Sequence, residues 1–106
     1  MYIQTYDVPA LFEWDEGKSD DTLRERGFDF EFATLIFDEP TLEREDTRRD
    51  YGERRVVAIG TAGDVLLTVV YTDRAEAGGT IVRRIISARV SNRHEREAYV
   101  QALPRD

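Results

Sequence analysis

The chain has no cysteine. That excludes a disulfide framework and any thiolate metal site, and it fits a reducing compartment. Histidine occurs once, as His94, so a histidine-built metal centre is excluded too, and no His/Asp/Glu spacing suggests one. One lysine, Lys18, stands against fourteen arginines. No apolar run approaches the ~20 residues that a membrane span needs. Met1 to Glu13 is poor in basic residues and shows no signal-peptide pattern, so the cytoplasm is the expected location. There is no P-loop, nucleophile elbow or dinucleotide fingerprint. Gly78-Gly79 lacks the strand-to-helix context of a phosphate loop and reads as a turn.

What is present is charge. Of 106 residues, 35% are charged, where about a quarter is usual. That length fits one domain, residues 1–106, with one economical core. The net charge is −7, unevenly spread. Asp7 to Asp50 holds fifteen acids and six bases, and Tyr51 onward holds seven acids and nine bases. The acidic half repels phosphate backbones and suits a basic partner, while the second half can hold an anion locally.

The pattern predicts an α+β domain. Leu11 to Asp15 reads as a short strand, with Phe12 and Trp14 alternating with acids. Gly17 to Arg26 reads as a polar helix stopped by Gly27. Asp29 caps a second helix, Phe30 to Phe37, with Phe30, Ala33 and Phe37 along one stripe and Pro40 beyond it. Thr41 to Thr47 reads equally as an edge strand or a loop. Arg55–Gly60, Val65–Thr72 and Ile81–Val90 read as three strands joined by short turns, an antiparallel meander. Ser91 or Asn92 caps a final helix. Asn92 with Glu95 resembles a capping box, Ala98, Tyr99, Ala102 and Leu103 form the apolar face, and Pro104 follows. The helices are expected on one face of the sheet.

Arginines recur along the meander at Arg55, Arg74, Arg83, Arg84 and Arg89. By simple alternation, Arg83, Ser87 and Arg89 share a face and Arg84 lies opposite, among Val82, Ile86 and Ala88. Arginine offers a planar fork of donors suited to phosphate or carboxylate. The same residues also read as partners for the many acids, or as side chains lying over sheet edges.

Ordered blocks of residues then resemble a known family. Phe12-Glu13-Trp14-Asp15 with Lys18 opens the series. Arg24-x-Arg26-Gly27 with Phe30, Glu31 and Ala33 follows, then Phe37-Asp38-x-Pro40 and Arg55 with Ile59-Gly60. Val69 to Arg74, Arg84 to Arg89, and Arg93 with Glu95, Arg96 and Tyr99 complete it. The series resembles the BrnT family of type II toxin–antitoxin toxins. That resemblance implies a RelE-like fold, an endoribonuclease without metal or other cofactor, and a BrnA-like ribbon-helix-helix antitoxin as partner. It further implies RNA as substrate, contact with DNA only through the antitoxin, and no membrane. The implied chemistry is attack of the RNA 2′-hydroxyl on the adjacent phosphate. The implied catalytic residues are Lys18, Arg55, Arg74, Arg84, Ser87 and Arg89; Arg26 and Arg83, as further guanidinium donors, are expected to bind substrate. Arg84 and Arg89 would contact phosphate, Arg55 or Arg74 would stabilise the transition state, and Ser87 would hydrogen-bond phosphate. The chain departs from the family pattern at Thr22, often Asn, and at Arg26, often His. Arginine cannot act as the acid or base that such a histidine supplies. A catalytically weak module that only binds antitoxin and helps repress the promoter is the second expectation.

Overall fold

The computed structural model describes residues 1–9 and 11–103. In chain order it contains β1 (Ile3–Thr5), β2 (Leu11–Trp14), α1 (Glu16–Arg26), α2 (Phe30–Ala33), a 3₁₀ segment (Thr34–Asp38), β3 (Thr41–Glu45), β4 (Val56–Ala62), β5 (Val65–Ala75), β6 (Ile81–Val90) and α3 (Arg93–Ala102). Six strands form one sheet in the order β1-β3-β4-β5-β6-β2. The expected α+β class is what the structure shows, and the meander is β4–β5–β6, antiparallel throughout. No described helix is long and apolar enough to cross a membrane.

Local chemistry sets most boundaries. The Asp15 carboxylate accepts from the Lys18 N–H at 3.0 Å and starts α1, and Gly27 ends it at φ 88°. Asp29 accepts from the Phe32 N–H and starts α2. The expected second helix tightens into 3₁₀ geometry after one turn, a common way to end a short helix. Its Phe30, Ala33, Ile36 and Phe37 are buried, whereas Leu35 is exposed. Val65 pairs with Ala62, so Gly63 and Asp64 make a two-residue hairpin turn. Asn92 and Glu95 form the expected capping box at α3. Pro104 lies outside the described residues.

Three features differ from the sequence reading. Thr41–Glu45 is a strand inside the sheet, flanked by β4 and by β1, a strand with no strong sequence signal. β2 joins β6 in parallel, so the sheet is mixed. And α3 does not join the other helices. The core unites Phe30, Ala33, Ile36 and Phe37 with Val56, Ala58, Ala62, Leu67, Val69, Tyr71, Ile85 and Ala88, all on one face of the sheet. On the opposite face Ser91, which leads into α3, bonds Thr68 at 2.8 Å, and Glu95 of α3 reaches Arg89.

Gly60 fixes how closely the 3₁₀ segment approaches the sheet. A Cβ there would lie 2.9 Å from the Ile36 Cβ, 3.1 Å from the Thr41 Cγ2 and 3.3 Å from the Ile36 carbonyl oxygen. Backbone and branched side chains leave little room to yield. Gly60→Ala is expected to destabilise the fold by about 2 kcal/mol through overpacking. Urea unfolding at pH 7 measures it, and no loss would mean that the 3₁₀ segment shifts freely.

Candidate functional site

The face away from the core carries the arginines. Side chains alternate across a strand, so the registers assign each residue. Arg44 of β3 lies opposite Val57, and Thr72 and Arg74 of β5 lie opposite Arg84 and Val82. Arg55 precedes β4 in phase with Val57, and its carbonyl accepts from the Asp46 N–H at 2.8 Å, extending the ladder.

A bulge completes the set. Val70 pairs with Ser87 and Tyr71 pairs with Ile85, which leaves Ile86 as an extra residue. One extra residue inverts the alternation beyond it. Ser87 and Arg89 therefore share the face of Arg84, not that of Arg83. This corrects the expectation from simple alternation. It also places Arg55, Arg74, Arg84, Ser87 and Arg89 on one side of the sheet. α3 covers the end of that face near Thr68, while Val70 and Thr72 are half-buried and Arg74, Arg84 and Ser87 are exposed.

The arginines are held by acids. Glu13 of β2 lies beside Arg84 in the parallel register. Arg74 donates to both Glu13 oxygens, and Arg84 approaches Oε2 at 3.5 Å. The hydrogen bonds from Arg74, helped by Arg84, hold the Glu13 carboxyl below its ordinary value. Arg55 stacks 4.1 Å from the Tyr51 ring centre and donates to Glu53 at 3.1 Å. Sequence reasoning missed Glu13 as a site residue. The signal was its alternation with Phe12 and Trp14 in a strand, which needed the β2–β6 pairing to acquire meaning.

Arg89 has a structural duty as well. It donates to both Glu95 oxygens at 2.7 Å, and the Asn92 N–H donates to Oε1 at 2.8 Å. The Glu95 side chain is 7% exposed. Burial pushes its pKa up, but the bonds from Arg89 and the Asn92 N–H prevail and bring it down to about 2. Its stabilisation is present above the ordinary value and is lost as pH falls from about 4.5 to about 2. The loss amounts to about 3 kcal/mol at 1.36 kcal/mol per unit. Urea unfolding between pH 6 and pH 2.5 should show this decline, and Glu95→Gln should be less stable at pH 6 with a flatter profile. Equal slopes would refute the assignment.

Lys18 and Arg26 approach from the other side. β2 pairs with β6 only as far as Ile85, so the edge of β6 beyond it is free to line a groove beside α1. The groove is about 360 Å³, lined by Lys18, Asp21, Thr22, Arg26, Phe30, Ile86, Ser87 and Ala88. It brings Lys18 and Arg26 to Ser87. The Thr22 hydroxyl donates to the Lys18 carbonyl at 2.9 Å and stays within the helix. Lys18 and Arg26 form no ion pair among the described residues.

Arg83 stands apart. Its side chain is 1% exposed. Nε and Nη2 each donate to Asp73 at 2.8 Å, Asp7 lies at 3.4 Å, and the guanidinium carbon sits 3.9 Å from the Tyr71 ring centre and 4.7 Å from that of Phe37. Expected to bind substrate, it is a core residue that offers no surface to a phosphate. The cause is the bulge: Arg83 precedes it and keeps the phase of Ile85.

Residues 14–95 match the family described as the ribonuclease toxin, BrnT, of type II toxin–antitoxin systems. The chain belongs to the BrnT family. No curated protein matches the sequence. The match spans α1, the meander and the five face residues, and it begins one residue after Glu13. A BrnT toxin has RNA as its target and a cognate antitoxin as its partner.

Proposed function

We propose that this BrnT toxin cuts RNA on the open sheet face, without a metal, through attack of the 2′-hydroxyl on the adjacent phosphate. The observation that carries this is the bulge, which gathers Arg55, Arg74, Arg84, Ser87 and Arg89 onto one face beside the Lys18 groove. The pentacoordinate phosphorus of the transition state gains negative charge, and guanidinium donors fixed in advance favour that charge. Arg74 and Arg84 are exposed and take phosphate oxygens. Arg89, fastened by Glu95, is a rigid donor. Arg55 stabilises the transition state from the Tyr51 stack, Ser87 hydrogen-bonds phosphate, and Lys18 and Arg26 bind the strand along the groove. Among the described residues no three His, Asp or Glu side chains come together as metal ligands.

The partner in this reading is a ribbon-helix-helix, BrnA-like antitoxin. It covers part of the arginine face, and through it the complex binds and represses its own promoter. The toxin acts in the cytoplasm.

A second reading has its own support. Arg55, Arg74, Arg84 and Arg89 each face an acid, and the chain carries −7 overall. A module that binds antitoxin but cuts poorly would have this character. Purified toxin incubated with single-stranded RNA in EDTA separates the two. Cleavage leaving 2′,3′-cyclic phosphate ends, abolished by antitoxin, supports the first reading. No cleavage by folded toxin that still binds its antitoxin supports the second.

A further inference from the structure

Cleavage of RNA by its own 2′-hydroxyl needs a group to take the hydroxyl proton. Histidine is the common choice, but His94 is exposed on the first turn of α3, with no hydrogen-bond partner among the described side chains. Arginine does not deprotonate in proteins. The carboxylates paired with the site arginines are Glu53, Glu95 and Glu13. Glu95 is 7% exposed, with both oxygens bonded to Arg89 and one also to the Asn92 N–H. Glu53 lies in the connection ahead of β4 and, among the described residues, binds Arg55 alone. Glu13 differs from both. It sits on a strand, between the two exposed guanidiniums, with 30% of its side chain exposed. A carboxylate has about four acceptor positions. Arg74 takes two and Arg84 approaches a third, so acceptor capacity remains.

We propose that Glu13 is the general base of this toxin, taking the proton of the attacking 2′-hydroxyl in an RNA whose phosphate lies on Arg74 and Arg84. This rests on the ribonuclease reading above. A phosphate held by those two guanidiniums lies next to the carboxylate they already share. The attacking oxygen then needs to be only about 3–3.5 Å from phosphorus. As the 2′-oxygen bonds to phosphorus, its proton passes to a Glu13 oxygen. The bond from phosphorus to the 5′-oxygen breaks, and its electron pair leaves with that oxygen, which takes a proton from water. The products are a 2′,3′-cyclic phosphate and a 5′-hydroxyl. Glu13 then returns its proton to solvent. Arg74 turns from carboxylate to phosphate when the substrate binds, so substrate binding itself frees the base.

The test uses full-length toxin with single-stranded RNA for cleavage and its 2′-O-methyl form for binding. Glu13→Gln is expected to lower the single-turnover rate at least 100-fold, within the usual range for a lost general base. Binding of the 2′-O-methyl RNA should hold or tighten, because a competing negative charge has gone. The wild-type rate should fall on an acid limb as Glu13 takes up a proton, and that limb should vanish in Glu13→Gln. Glu13→Asp, which keeps a carboxylate on a shorter arm, should recover at least tenfold over Gln and retain the limb. Cleavage by Glu13→Gln within threefold of wild type overturns the assignment. So does a fall in binding that matches the fall in rate, since Glu13 would then only position the arginines. If Glu13→Gln does not fold, Glu13→Asp without an acid limb also overturns it. A wild type that binds but does not cut removes the ribonuclease reading, and this inference with it.

Discussion

Replacing Arg74 and Arg84 together with alanine is expected to slow RNA cleavage by about 10³-fold while the fold stays intact. Removing one donor to a developing charge typically costs 10²–10³-fold, and two that act on one phosphate do not simply multiply. The side chains are 51% and 45% exposed and share the Glu13 carboxylate at the surface. Exposed pairs contribute about 0–1 kcal/mol, so the unfolding midpoint should barely move. Arg89 makes a poorer probe. Its loss strands Glu95, 7% exposed, without its partner, and the variant would lose stability along with any activity. A control at Arg93, 83% exposed on α3, should keep cleavage within threefold. Loss of activity in the control, or its survival in the double variant, would move the site away from the open face.

Asp73→Ala is expected to cost about 4 kcal/mol of stability, the range for leaving a buried charge without its partner, since Arg83 is buried although Asp73 is 33% exposed. Arg83 would keep its charge at 1% exposure with only Asp7, at 3.4 Å, to answer it. Its Nη1 already lacks a protein partner. For a domain near this size that loss lowers the melting temperature by roughly 15 °C or more. Arg83→Met in the same background should recover part of the loss, because it removes the unanswered charge and keeps a chain of similar length between Tyr71 and Phe37. A change under 1 kcal/mol in the single variant would show that Arg83 swings out to water. It would then return to the list of phosphate ligands.

Much of this was legible in the sequence where one local rule decided the outcome. Asp29, Gly27 and the Asn92–Glu95 box mark helix ends through their own side chains or backbone freedom. The β-branched runs mark β4 to β6. β3 was ambiguous because Glu43, a charged residue in mid-strand, argues against burial. It is buried because the Tyr71 hydroxyl and the Thr41 hydroxyl both donate to its carboxylate at 2.7 Å, and Tyr71 is distant in sequence. The site was legible as a list of residues but not as an arrangement. Arg83 and Arg84 look alike on paper. What separates them is Asp73, directly opposite Arg83 in the hairpin register, and Glu13, supplied by a strand from the far end of the chain. Glu13 itself entered only through that parallel pairing.

The unpaired Ile86 gives β6 something like a reading frame. Up to Ile85 one set of alternate positions belongs to the interior, and from Ser87 onward it is the other set. Deleting Ile86 would remove the bulge and leave the faces as they are, because Ser87 would still pair with Val70 and Ala88 with Val69. Deleting Ser87 as well would shift everything beyond it and turn Ala88 to the outside. In relatives of this chain, arginines five residues apart on a bulged strand therefore correspond to arginines four apart on a regular one. The same spacing of five without the bulge would put the two arginines on opposite faces and present a different surface to RNA.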